Sequence, residues 1–250
     1  MNIVFPMAGL GSRFSKAGYK KPKPLISVKG KPIVQYAIES LNLDGHYFFV
    51  TRFENEDHES EFDSILKKIG ITYTNIPITY LTKGATDSCL IATEKFKNVN
   101  DELVITNCDQ FTPWNKDKFL SFKDENDLDA IVTTYDHEDI VLNMPSKYSF
   151  IKVNKQTNLA CEFAEKLAIS ENALNGIHYW KKSKYFISSG KQLTSKSNKT
   201  ENFISLTFNN LINNGYKIGF YKMAKNEFYS LGSPEEVENF KKKYLTTLKN

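Results

Sequence analysis

The stretch FPMAGLGSRFSKAGYKKPKPLISVKGKPIVQ (5–35) decides how this chain is read. It starts inside an apolar run, NIVFPM (2–7), that reads as a strand. It then opens into a long polar loop with two glycines, an arginine, and a lysine between prolines. A glycine-rich turn after a strand can clamp a dinucleotide, cradle a triphosphate, or merely turn the chain. The first use requires G-x-G-x-x-G running directly into a helix. Here Phe14 stands at the third glycine, and Pro22 and Pro24 speak against an early regular helix. The P-loop pattern G-x-x-x-x-G-K-[ST] fails as well, since neither Gly30-Lys31-Pro32 nor Gly190-Lys191-Gln192 supplies it. What remains is a phosphate cradle of another kind, with a solvated basic loop as the alternative. Gly9 and Gly11 let backbone N–H groups turn toward an anion. Arg13 offers a planar fork for phosphate oxygens. Lys23 is expected in stiff, extended backbone that holds its ammonium in place. Such a set suits a reaction at phosphorus.

Outward from the loop, the first half alternates between strand and helix patterns. IVQYAIESL (33–41) reads as a helix opened by Pro32, and HYFFVT (46–51) as a strand. ESEFDSILKKIG (59–70) is an amphipathic helix ended by Gly70, and ITYTNIPITYL (71–81) is extended. ATDSCLIATEKF (85–96) is helical after Gly84, and ELVITN (102–107) is a strand buried on both faces. KDKFLSFK (116–123) and LDAIVTTY (128–135) give one more helix and one more strand. The pattern predicts an α/β fold, a mostly parallel sheet flanked by helices on both faces.

The second half adds shorter, antiparallel strands at YSFIKVN (148–154), LACEFAE (159–165) and NGIHYWK (175–181). GKQLTSKSNKT (190–200) reads as a mobile loop, ENFISLTFNNLINNG (201–215) as a helix stopped by Gly215, and YKIGFYKM (216–223) as a strand. A last helix over 233–248 has strong start chemistry: Ser233 as cap, Pro234 first, and Glu236 three residues after the serine. No repeat or linker divides the chain, so one domain over 1–250 is expected.

Composition narrows the class. With 250 residues, 40% apolar and 25% charged, the chain can bury one sizeable core. Its 33 basic and 29 acidic residues leave a charge of +4, too even for a nucleic-acid binder yet tolerant of an anionic substrate. Cys89, Cys108 and Cys161 are far apart and lack zinc spacing, which suits free, mostly buried thiols in a reducing compartment. No secretion signal or membrane span is read, a cytoplasmic location is expected, and the sequon at Asn198 should be idle. His46, His58, His137 and His178 lack metal spacing, and no G-x-S-x-G elbow occurs. Trp114 and Trp180 read as packing residues, Trp114 also standing close enough in sequence to Asp109 to wall a pocket.

The elements MAGLGSRF (7–14) and KPKPL (21–25) together resemble the signature of the sugar-phosphate nucleotidylyltransferases, A-G-G/x-x-G-[ST]-R followed by a P-K element. The resemblance implies a Rossmann-like fold in which an NTP and a phosphorylated acceptor meet over the strand ends. It implies nucleotide-binding roles for Ala8, Gly9, Gly11 and Ser12, and catalytic roles for Arg13 and Lys23. LVITNCD (103–109) places Asp109 where the family holds Mg2+. KGATDSCLIA (83–92) carries over Gly84 as a nucleotide contact, but no base-reading glutamine is matched, Thr79 or Thr82 lying in that neighbourhood; the base stays open. CEFAEKLAISENALNGIHYW (161–180) carries over Glu165, Lys166 and Gly176 to the acceptor.

FYSLGSPEEV (228–237) resembles the family's W-x-D-x-G-[ST]-P-E segment, with Ser230 replacing the second metal aspartate. Either Asp109 holds Mg2+ with phosphates and water, or a neighbour such as Glu227 substitutes. The implied halves are 1–135 for the NTP and 136–250 for the acceptor. The implied reaction joins an NTP to a sugar 1-phosphate, releasing pyrophosphate and giving a nucleotide-activated sugar for surface polysaccharide synthesis. A cytidylyltransferase acting on phosphocholine or a phospho-amino acid, a glycosyltransferase-like protein, and a silent nucleotide-binding protein are the alternatives. Asp109-Gln110-Phe111 breaks the D-x-D expected of a glycosyltransferase. The expected partners are an NTP and a small phosphorylated acceptor, without nucleic acid or membrane; a homo-oligomer is compatible.

Overall fold

Ile3 and Phe5 enter one apolar core and Val4 a second, and all three are fully buried. A strand apolar on both faces belongs inside a sheet covered by helices on both sides. A computed structural model, which describes residues 1–135, 145–196 and 201–244, has that architecture. β1 (Asn2–Met7) is followed by α1 (Ser12–Lys16), the short ladder of β2 (Ser27–Val28) and β3 (Lys31–Pro32), and α2 (Ile33–Leu41). Then come β4 (His46–Thr51), α3 (Glu56–Ile69), β5 (Thr72–Pro77), α4 (Ala85–Thr93) and β6 (Leu103–Ile105). β7 (Gln110–Phe111), α5 (Lys116–Glu125) and β8 (Ala130–Tyr135) close the first half. The second half holds β9 (Ser149–Val153), β10 (Ala160–Glu165), β11 (Ala173–Trp180), α6 (Ser183–Lys196) and α7 (Thr207–Asn213). It ends with β12 (Ile218–Met223), β13 (Tyr229–Ser230) and α8 (Pro234–Lys243).

The main sheet runs β10-β9-β11-β6-β1-β4-β5, with β8 on β11 and β12 on β8. β6, β1, β4 and β5 are mutually parallel, and β11 joins them antiparallel to β6. Val4 lies opposite Ile105 and Met7 opposite Thr51, so the carboxyl ends of β1, β4 and β6 finish side by side. Ligands in open α/β sheets bind at that edge. Because β11 runs the other way, its first residues reach the same edge, and the register slips between Leu174 and His178.

α2, α3 and α5 cover one face through Ile38, Phe62 and Phe119; α4, α6 and α7 cover the other through Cys89, Phe186 and Phe208. On that second face Trp180 stacks on Phe208 with 4.8 Å between centroids. A third, smaller core joins Phe14, Ile33 and Tyr36 to Leu231, Val237 and Phe240. It fastens the glycine loop to the last helix.

Four local expectations are corrected. α1 forms a single turn ahead of the prolines, capped by Gly11 at φ 61° and anchored by Phe14, which is 1% exposed. Phe14 thus serves as a packing anchor where a dinucleotide loop would have glycine. Lys23 does not sit in extended backbone: Pro22 is extended, whereas Lys23–Leu25 form a 3-10 turn closed by the Leu25 N–H on the Pro22 carbonyl at 2.9 Å. Burial of Leu25 and Ile26 outweighs the bias that a following proline imposes. The loop expected over 190–200 is helical in α6 as far as Lys196, and 197–200 lie outside the described residues. Gly190 lets α6 approach α4, since a Cβ there would stand 3.3 Å from Leu90. The helix expected over 201–215 is shorter, a 3-10 turn at Ile204–Leu206 leading into α7.

α8 begins as its sequence indicates. Ser233 Oγ accepts from the Glu236 N–H at 3.3 Å and Pro234 takes the first helical position. Ser233→Ala is expected to cost about 1 kcal/mol, measured as a lower urea midpoint at unchanged slope; an unchanged midpoint would show that the cap contributes nothing.

Candidate active site

Two clefts meet at the carboxyl edge of the sheet, and one ion pair stands between them. Lys23 Nζ donates to Asp109 Oδ2 at 2.8 Å, with each side chain about a quarter exposed. Lys23 lines the first cleft together with Gly9, Gly11 and Arg52. Asp109 lines the second together with Arg13, Glu165, Gly176 and Ser230. Burial alone would push the Asp109 carboxyl up, but the Lys23 charge and hydrogen bond bring it below its ordinary value. Burial would likewise push the Lys23 ammonium down, and Asp109 more than reverses this, so the net shift is upward. Both groups are therefore charged at neutral pH. Cys108, beside them on the first cleft, has its thiol pushed up to about 11 by burial, which keeps it protonated and a poor nucleophile.

The loop after β1 builds the first cleft. Gly11 needs its left-handed φ, and a Cβ on it would touch Lys23 Cβ at 3.4 Å; Gly9 faces open space. Ala8 is buried, and its carbonyl accepts from Arg52 Nε at 3.1 Å. Arg52, one residue beyond β4, brings a guanidinium to the cleft that Lys23 lines. Sequence reading missed it; its position after the carboxyl end of a buried strand was the available signal. Ser12 is exposed at the start of α1 and lines neither cleft.

The second cleft lies among β6, β11 and the 203–205 turn. Gly176 has φ 92°, and a Cβ on it would fall 2.1 Å from Asn107 Nδ2. Glycine there brings the β11 backbone against Asn107 in the cavity wall. Glu165 accepts from the Ser149 hydroxyl and from Ser205 Oγ, the latter at 2.8 Å. Gln110 donates through Nε2 to Thr106 Oγ1 at 3.2 Å, leaving Oε1 buried without a partner among the described residues. His178 also lines this cleft; burial pushes its pKa down to about 3, so it is neutral there. Asn107, Gln110, Ser149, His178 and Ser205 had no motif in the sequence to mark them.

Other expected residues sit apart. Lys166 lines neither cleft: its ammonium is 3.6 Å from Glu201 and 4.4 Å from the centroid of Phe203. Gly84 also lines neither cleft and is a packing glycine, since a Cβ on it would fall 2.4 Å from the Asn202 carbonyl oxygen. Thr82 is bound into the same turn through Ser88 at 2.8 Å. Trp114 is buried with its indole N–H on the Leu41 carbonyl, so it packs and lines neither cleft. Glu227 does not approach Asp109; it accepts from the Ala224 N–H at 2.9 Å. His137 lies outside the described residues. Cys89 and Cys108 are buried free thiols, and Cys161 is free and exposed.

A parallel-sheet edge carrying a glycine loop, a lysine–aspartate pair and two adjoining polar clefts offers two adjacent places where polar ligands can bind. The chain belongs to the nucleotidyl transferase family, whose model matches residues 6–247. Over 126 residues it is 29% identical to the bifunctional protein GlmU of Methanocaldococcus jannaschii, a match covering 49% of this chain and 28% of that relative's length. Its fold is shared with a nucleoside-diphosphate-sugar pyrophosphorylase from Vibrio cholerae, at TM-score 0.79 and 20% identity over 96% of this chain and all of the other. The inositol-1-phosphate CTP transferase from T. maritima has the same fold, at TM-score 0.74 and 15% identity over 97% and 96% of the two chains. No helix among the described residues is long and apolar enough to cross a membrane.

The ion pair sets a pH dependence. The Asp109 contribution to stability is complete above the ordinary carboxylate pKa of about 3.9 and is lost as pH falls through its lowered value. That of Lys23 is complete below about 10.4 and is lost as pH rises through its raised value. The stability difference between wild type and the double variant Lys23→Met/Asp109→Asn, which removes both titrating groups, should therefore stay flat from about pH 5.5 to 9. Urea unfolding across that range checks it, and a difference that vanishes within the range would contradict it.

Proposed function

We propose that this protein transfers a nucleotidyl group from an NTP to a phosphorylated acceptor, a sugar 1-phosphate above all, and releases pyrophosphate. The observation that carries the reading is the Lys23–Asp109 pair, 2.8 Å apart, between a glycine-loop cleft and a polar cavity. The loop N–H groups of Gly9 and Gly11, with Lys23 and Arg52, hold the triphosphate in the first cleft. Glu165 and the Gly176 wall hold the acceptor's hydroxyls in the second. The NTP thus belongs to the half up to residue 135 and the acceptor mainly to the half beyond it.

The attacking phosphate oxygen is already anionic, so no covalent nucleophile or strong base is required. The site's tasks are in-line alignment and charge neutralisation. Lys23 lies where the α-phosphorus must pass between the clefts. Arg13, on the acceptor side with Nη1 donating to the Gly232 carbonyl at 3.4 Å, meets the incoming phosphate. Lys166 reaches that phosphate only by leaving Glu201. Among the described residues no group of three or more His, Cys, Asp or Glu could enclose a metal. A magnesium ion bound through one or two carboxylates and the nucleotide's own phosphates fits this donor set, with Asp109 as ligand. When bound, it would offset charge developing on the pyrophosphate.

The T. maritima neighbour is named for an inositol phosphate, a polyol like a sugar phosphate, and Glu165 between two serines suits either. We assign a nucleotide-activated sugar for surface polysaccharide synthesis as the product, formed in the cytoplasm. A pyrophosphate-release screen of four NTPs against sugar phosphates, inositol 1-phosphate, phosphocholine and phospho-amino acids tests this. Release with at least one pair is expected; NTP binding with no release in any mixture would identify a silent binding protein instead. Lys23→Ala and Asp109→Ala should each lower turnover by about two orders of magnitude or more while far-UV dichroism is unchanged. Wild-type turnover in either would remove these residues from the mechanism.

A further inference from the structure

The start of α8 reads as a capping box, in which a glutamate three residues past the cap serine reaches back to that serine's N–H. The structure uses Glu236 differently. Its backbone N–H bonds Ser233 Oγ, but its carboxylate turns back toward Gly232 and the space beside Asp109. Oε1 accepts from Lys147 Nζ at 2.5 Å, and Oε2 is buried with no hydrogen-bond partner among the described residues. The side chain is only 13% exposed. A buried carboxylate oxygen without a partner is costly, and such orphans mark places where something else binds.

Gly232 shows what lies opposite. A Cβ on this glycine would stand 2.8 Å from Asp109 Oδ2, 3.3 Å from Glu236 Oε2 and 3.6 Å from Arg13 Nη1. Two carboxylate oxygens from different segments thus flank one small space, which stays open because residue 232 has no side chain. Arg13 spends its near nitrogen on the Gly232 carbonyl. Ser230 contributes only a neutral hydroxyl, whose oxygen is 3.5 Å from the Gly232 N–H, and Glu227 is held by Ala224.

We propose that Glu236 is the second carboxylate of a divalent-cation site built on Asp109, the place that Ser230 cannot fill. The inference rests on the proposed nucleotidyl transfer for the cation's purpose, but not for its location. Hard oxygen ligands suit Mg2+ or Mn2+, with phosphates and water completing the shell. Lys147, on the other oxygen of Glu236, is the outer-shell group that fixes the carboxylate's orientation.

The test is titration of the full chain with Mn2+ alone, followed by the paramagnetic resonance signal of the free ion. Glu236→Gln and Asp109→Asn should each weaken Mn2+ binding about tenfold or more. Glu227→Gln should stay within about twofold of wild type. Gly232→Ala keeps both carboxylates and requires no left-handed backbone, yet sets a methyl between the two oxygens, so it should weaken binding as strongly. Thermal melts by circular dichroism report whether each variant is folded. A folded Glu236→Gln or Gly232→Ala that binds Mn2+ like wild type overturns the proposal, as does a wild type that binds no Mn2+. If Mn2+ binding depends on Glu236 while no NTP and acceptor pair reacts, the cation site stands and the proposed reaction falls. If transfer occurs with Mn2+ binding independent of Glu236, the reaction stands and this site falls.

Discussion

An ammonium 2.8 Å from a carboxylate, on segments 86 residues apart in sequence, is the contact around which this molecule is arranged. Two half-buried charges of opposite sign are tolerable only when geometry holds them together, because either one alone would lose solvation without compensation. The geometry comes from the sheet. β1 and β6 are hydrogen-bonded neighbours, so the loops leaving their carboxyl ends are obliged to meet. Lys23 arrives on the first, stiffened by a 3-10 turn between prolines, and Asp109 on the second. The pair divides the edge into a lysine side and an aspartate side, and the two clefts follow from that division.

The third core gives the last helix its part in the site. Phe14 in the glycine loop and Phe240 in α8 belong to one apolar cluster with Tyr36, so the loop and the carboxyl-terminal helix are fixed by the same packing. The Leu231 N–H bonds the Asp109 carbonyl at 2.7 Å and keeps the 230–232 turn beside the aspartate. Through that turn Glu236 and Gly232 come to share a space with Asp109 and Arg13. A helix that looks peripheral is thereby packed against the edge that carries the ion pair.

The parts legible in the sequence were those set by local pattern. β1, β4 and β8 have apolar runs with no alternative, and the cap at Ser233 is a short-range hydrogen bond written in four residues. Arg13, Lys23, Asp109, Glu165 and Gly176 stood in recognisable motifs, and the fold brings four of the five to the second cleft and Lys23 to the first. What escaped was decided by tertiary contact. Residues 190–196 are polar enough to read as loop, yet Phe186 and the close approach of Gly190 to α4 make them helix. Gly84 and Lys166 matched a motif, but the Asn202 backbone and Glu201 occupy them. Glu236 carried a local explanation as a helix cap, and only its unpartnered oxygen beside Asp109 shows that the explanation is incomplete.

The central claim is attack at the α-phosphorus of an NTP held on the lysine side by a phosphate held on the aspartate side. The most direct measurement follows label from NTPs carrying 32P at the α or the γ position, once a reacting acceptor is found. The account predicts that α label ends in the acceptor-linked product and γ label leaves as pyrophosphate. Transfer of γ label to the acceptor, or release of a nucleoside diphosphate, would contradict it.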